Sequence, residues 1–229
     1  MPMPFTSWLN TWAHWVGYAV CHQMPEHSYI TVLGPMPLCA RCTGQYWGIL
    51  LVLIFIGMRR RWRYRGWPIQ RYPGIWGVLV LLWAVDGLNS FLDFLGLAHI
   101  YPPHNITRLV SGYLMGIVVG SHLWALFASL MWPRGNASPA VSMPADLPWV
   151  LLGGLVPLGG IALGGMVRWA VGIVAAGGVI LSFTLLMAAT LRALMRPEKG
   201  ESPWPYLLGG TLLAAGFIAA VDWLRYHLS

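Results

Sequence analysis

The sequence predicts an all-α protein, a polytopic transmembrane helix bundle, and three observations predict it. Apolar runs of about twenty residues recur along the chain, the length a helix needs to cross a ~30 Å hydrocarbon core. Charged residues make up 9% of the 229 positions and hydrophobic ones 57%, with mean hydropathy +0.62. A soluble domain carries ~25% charge. The basic residues behind the net charge of +7 cluster between the apolar runs instead of covering a soluble face. That pattern excludes nucleic acid as a partner and makes the lipid bilayer the surroundings.

No basic residue precedes Arg41, so the start lacks the basic region of a secretory signal peptide, and the spans themselves direct insertion. Residues 5–20 are short for a span. Trp8, Trp12 and Trp15 recur on one helical face, with Ser7, Asn10, Thr11 and His14 roughly opposite. This predicts an N-terminal interfacial helix at the headgroup level, where indole rings settle. A loop marked by Pro25, Gly34, Pro35 and Pro37 follows. Six spans are then expected, at about 39–58, 73–98, 106–131, 149–167, 169–191 and 206–224. The chain divides accordingly into a cysteine-motif membrane domain (1–131), a Pro/Gly/Ser/Asn-rich linker (132–148) and a three-span C-terminal segment (149–229).

Orientation follows from the arginines. If the loop holding Arg59, Arg60, Arg61, Arg63 and Arg65 is cytoplasmic, alternation puts Arg71, Arg134, Arg192, Arg196 and Lys199 on the same side. Arg41, Arg108, Arg168 and Arg225 fall at or near the outer edge. The positive-inside rule demands this asymmetry, and it places the cysteine motif on the outer side of the cell membrane. Gly112, Gly116 and Gly120 repeat along the third span, and Gly160 with Gly164 along the fourth. Such small-residue faces let helices approach closely in lipid, so these glycines carry packing and no chemistry.

All three cysteines lie within twenty-two residues: Cys21, followed by His22, then Cys39 and Cys42. A Cys-x-x-Cys pair leading into a helix can set two thiolates around one metal, with a third from Cys21 and an imidazole from His22. Glu26, His27 or a carboxylate from another span are alternatives to His22, because adjacent residues seldom both reach one ion. This donor set suits zinc, with iron as the alternative. Two other readings stand beside it: a thiol–disulfide pair made by Cys39 and Cys42, and buried cysteines that only pack.

The second span carries Asp86, Asn89, Ser90 and Asp93 on one helical face. Asp86 falls about twelve residues, or ~18 Å, from the expected outer end of that span. A carboxylate near mid-membrane costs ~2.5–3.5 kcal/mol to insert, so it needs a partner, an ion or a water pocket. Arg108 is the expected partner of Asp93 across a helical hairpin. Asp86, Asn89, Asp93, Asn105 and Arg108 are therefore expected to line a polar pocket, or to form a salt-bridged seam that fixes helix register. Cys21, Cys39, Cys42, Asp93, His104 and Arg108 share one depth, which points to a single site. His14, His122 and Asp222 show no partner in the sequence and are assigned structural roles.

The motifs "CHQMPEHSY" and "PLCARCTGQYWG" resemble the signature of an uncharacterised family of predicted bacterial and archaeal membrane proteins, a domain of unknown function. Its pattern corresponds here to Cys21, His22, Gln23, Cys39, Arg41, Cys42 and Gly44, then to Asp86, Gly87, Asn105, Arg108 and Gly112. The resemblance covers about residues 15–125 and implies membership without an activity. The leading expectation is thus a membrane metalloprotein with a Cys/His site at the non-cytoplasmic edge. Arg41 and Arg108 would hold an anionic group there, such as an anionic lipid or lipid-linked substrate. The alternatives are an accessory subunit that assembles with other subunits of a membrane complex, and a thiol–disulfide redox protein.

Overall fold

The helices begin and end where local chemistry dictates. In a computed structural model describing residues 4–195 and 202–228, helix α1 (Pro4–Tyr18) leads into a loop containing a single 3-10 turn (Pro25–His27). A minute hairpin, β1 (Ile30–Thr31) and β2 (Gly34–Pro35), precedes α2 (Ala40–Met58). After α2, strand β3 (Tyr64–Gly66) leads to α3 (Pro73–Phe94), with Pro73 in the first turn, where its missing N–H costs nothing. Next come α4 (Asn105–Met131) and strand β4 (Asn136–Pro139), which pairs in parallel with β3. The chain continues through α5 (Leu147–Gly153), α6 (Leu155–Leu163), α7 (Gly165–Met195) and α8 (Trp204–Leu228).

Five of these helices are long and apolar enough to cross a membrane: α2, α3, α4, α7 and α8. The all-α bundle stands, but the expected fourth span differs from an unbroken helix. It is two short helices within Leu147–Leu163, meeting at Gly154. Pro157 lacks the N–H that would bond the Gly153 carbonyl across the junction. The pair still runs from one end of the bundle to the other. Asp146, just before α5, accepts from Arg61 after the end of α2. The Ile161 carbonyl in α6 accepts from Arg168 Nε at 2.9 Å, and Arg168 also reaches the Ile30 carbonyl beside the cysteine loop.

Two ends of the bundle follow, a cysteine end and an arginine end. Arg41, Arg108, Arg168 and Arg225 lie at the first, while Arg59, Arg61, Arg65 and Arg192 contact loops or helix ends at the second. Arg196 and Lys199 lie outside the described residues. Helices α2 and α4 run parallel at backbone contact. A Cβ on Gly112 would stand 2.0 Å from the Arg41 carbonyl oxygen, one on Gly44 2.0 Å from that of Leu109, and one on Gly116 2.1 Å from that of Gln45. The glycine repeat of the sequence is this seam. Helix α7 packs against α1, α2 and α4, so the C-terminal segment shares their core. Helix α1 rests on α7, where Asn10 Oδ1 accepts from Trp169 Nε1 at 3.1 Å; Ala13 and Val16 are buried, and Trp8 and Trp15 face outward.

Candidate metal centre

Three sulfur atoms meet at the cysteine end. The Sγ atoms of Cys21, Cys39 and Cys42 all lie within 4.8 Å of one another, and no disulfide joins them. Cys39 is the N-cap residue of α2, with extended backbone angles, and Cys42 follows in the first turn. The backbone N–H groups of Cys39 and Gln23 donate to the Cys21 sulfur at 3.3 and 3.4 Å. Hydrogen bonds from the Cys39 and Cys42 thiols, with those amides, hold the Cys21 thiol far below its ordinary pKa despite its burial. That shift favours the thiolate, the form in which cysteine binds a metal.

Cys21 is brought to α2 by its sequence neighbour. Gln23 takes φ of 53°, a left-handed value, and its Nε2 donates at 2.8 Å to the carbonyls of both His14 and Pro37. One amide thus ties α1 to the segment before α2. A Cβ on Gly17 would stand 2.1 Å from the Pro37 oxygen, so these backbones touch. From the other side, Arg225 near the end of α8 stacks 4.0 Å from the Tyr18 ring and donates to the Tyr18 carbonyl and, at 3.0 Å, to that of Cys21. His22 does not join the sulfurs. It is exposed, and among the described residues the group within ligand distance holds the three cysteines alone. The left-handed turn at Gln23 points the amide inward and leaves the imidazole outside.

Arg41 lies between Cys39 and Cys42 and points to α3. Its Nε and NH2 donate to Asp86 Oδ2 at 3.1 and 2.5 Å, and NH2 also reaches Ser90 Oγ at 3.0 Å. Asp86 further accepts from the Tyr101 hydroxyl and from Ser111 Oγ, both at 2.8 Å. Its carboxylate, 3% exposed as a residue, is fully satisfied. Asn89 fixes the loop above: its Oδ1 accepts from the N–H groups of Ile100 and Tyr101, and its Nδ2 donates to the Tyr101 carbonyl. Tyr101 and Ser111 were not legible in the sequence, because a loop tyrosine and a helical serine carry no pattern of their own.

Two expectations change. Helix α3 ends at Phe94, because Gly96 at φ +67° closes a Schellman turn in which the Leu97 N–H donates to the Leu92 carbonyl. Asp86 therefore lies roughly 12 Å from the helix end, nearer the surface than expected. Asp93 is exposed and its ion-pair partner is His99 at 3.8 Å, not Arg108. His104, also exposed, caps α4 by accepting from the Ile106 N–H. Arg108 is 6% exposed, donates to Asn105 Oδ1 at 3.1 Å, and makes no ion pair within 4 Å among the described residues. It lies within electrostatic reach of Cys39, Asp86 and His27. Burial, and secondarily the Arg108 cation, push the His27 imidazole below its ordinary pKa.

Comparison with known proteins covers this same region. Residues 21–122 match the model of a family described as a predicted membrane protein, DUF2085. An uncharacterized protein of the archaeon Methanocaldococcus jannaschii is 26% identical over 117 residues, half of this chain and 68% of the relative. No solved structure matches. The motif resemblance and the family match thus coincide on the segment that holds the three cysteines, Arg41, Asp86 and Arg108. Residues 21–122 of this chain are similar to the DUF2085 family of predicted membrane proteins.

Proposed function

We propose that this multi-pass protein is a membrane metalloprotein that binds zinc through Cys21, Cys39 and Cys42 at the non-cytoplasmic edge of the cell membrane. The observation that carries the reading is the meeting of three sulfurs from two separate stretches within 4.8 Å. Tetrahedral zinc with Zn–S bonds of ~2.3 Å needs sulfurs about 3.8 Å apart, a small contraction of that cluster. N–H donation to the Cys21 sulfur is the outer-sphere support expected of a metal thiolate. With His22 exposed, three protein ligands leave a fourth position open. A metal with an open position supplies Lewis-acid chemistry, polarising a bound oxygen or activating water.

The chain's own residues add two things. Asp86 and Arg41 anchor the first turn of α2, fixing Cys39 and Cys42 against α3 and α4. Arg108, a buried cation with no carboxylate ion-pair partner among the described residues, holds an anionic group such as a lipid phosphate. Arg41 belongs to this anion site as its inner wall, its charge largely matched by Asp86. The majority of arginines at the opposite end supports the outward placement of the cysteines.

Metal analysis of protein purified in mild detergent tests the reading. About one zinc per chain is expected, lost in Cys39→Ser and in Cys42→Ser and kept in His22→Ala. Iron in place of zinc would change the metal and keep the ligands. Metal-free protein with a disulfide between two of the cysteines would replace the proposal by thiol–disulfide exchange.

A further inference from the structure

A second polar feature lies on α8. Asp222, on α8, is 2% exposed, and neither carboxylate oxygen has a hydrogen-bond partner among the described residues. Arg225, the cation nearest in sequence, donates instead to the carbonyls of Tyr18 and Cys21 and makes no ion pair with Asp222. A bare carboxylate in an apolar surround costs several kcal/mol unless a cation or proton meets it.

Asp222 forms part of the wall of a groove of about 550 Å³ between α1, α7 and α8. Four aromatic residues share the lining, Trp12, Trp15, Trp223 and Tyr226. Trp15 and Tyr226 also bound a smaller cavity that shares Asp222. They are 61% and 76% exposed, so rotation of either opens the carboxylate to an incoming group. Away from Asp222 the lining becomes aliphatic, with Ile180, Ala215 and Ile218, and it reaches Thr211. From Thr211 to Tyr226 the groove follows α8 for roughly 22 Å at 1.5 Å per residue. One end thus offers a negative charge among aromatic rings, and the rest is an apolar trough running along a membrane-spanning helix.

We infer that this groove binds a membrane phospholipid whose headgroup carries an ammonium, with the cation against Asp222 and the aromatic rings, and an acyl chain along the trough. Carboxylate and aromatic faces together are the recognition chemistry of organic ammonium groups. The length of the apolar trough selects a lipid over a free amine. Asp222 lies six residues before the end of α8 at Leu228, or roughly 9 Å along the axis, a depth that suits a headgroup at the interface.

The test uses the full chain in nanodiscs of equimolar phosphatidylethanolamine and phosphatidylglycerol, with retained lipids counted by native mass spectrometry after release. Wild type should retain phosphatidylethanolamine over phosphatidylglycerol by about tenfold, the factor for one charge-assisted contact. Asp222→Asn should bring the ratio near one. Trp15→Leu, at an exposed position that folding does not need, should lower it several-fold. Equal retention of both lipids by wild type, or a ratio unchanged in Trp15→Leu and in folded Asp222→Asn, overturns the inference. Displacement of the lipid by soluble ethanolamine at comparable concentration also overturns it, because the site would then be one for a free amine.

Discussion

Arg41 and Asp86 show how one ion pair can organise a site it does not enter. Arg41 lies between two candidate ligands, and its guanidinium binds a carboxylate that also takes Tyr101 and Ser111. The pair is partly buried, with side-chain exposures of 23% and 5%. Removing one partner of such a pair leaves an uncompensated charge and costs more than removing both. Asp86→Ala should therefore destabilise the protein by about 3 kcal/mol, read as a lower unfolding temperature in detergent. Adding Arg41→Met should recover part of the loss. If the two changes are additive, the pair does not brace α2. The cysteines carry their own residue-scale logic. Burial keeps Cys21 from solvent, yet four neighbouring groups donate to its sulfur, which suits a ligand better than an inert packing residue.

Among the elements, the α2–α4 seam sets the tolerances of the site. Lipid offers no hydrophobic force to bring helices together, so close packing and small residues must do it. The Arg41 carbonyl lies where a Gly112 side chain would be, which links this seam to the turn holding Cys39 and Cys42. Gly112→Ala should push α2 away, lower stability by ~1–3 kcal/mol as overpacking does, and reduce metal retention without removing a ligand. Gly87→Ala on α3, where a Cβ meets nothing within 4 Å, should leave both unchanged. Unfolding temperature and metal content of the two variants give the comparison. Equal effects would mean that the seam is not in contact.

The whole molecule is a bundle with chemically distinct ends. Exposed tryptophans mark both: Trp8, Trp15 and Trp223 at the cysteine end, Trp62, Trp149 and Trp204 at the other. Indole rings favour the two membrane interfaces, so these belts give a thickness independent of hydropathy. Although α5 and α6 are short, their passage from Asp146 to Arg168 returns the chain to the cysteine end, so α7 leaves from there and α8 comes back. In a variant with all three cysteines replaced, a membrane-impermeant maleimide should label Tyr226→Cys from one face only. Trp62→Cys should react from the opposite face only. Labelling of both from the same face would show that the 147–163 segment does not cross.

The sequence by itself determined the class of solvent and the five long helices in their order, since hydrophobic runs, glycine repeats and arginine placement act locally along the chain. It also singled out Cys21, Cys39, Cys42 and Asp86, because polar groups in so apolar a chain stand out. Only the tertiary structure decided which of them meet. A helix end displaced by one Schellman turn raised Asp86 to the level of Arg41 and left Asp93 outside. A left-handed Gln23 turned His22 to solvent and its own amide inward. Asp222, silent as a lone acid in the sequence, became a site when α1 folded across α7 and α8. Partners on separate helices are chosen by packing, and packing depends on distances that no local pattern encodes.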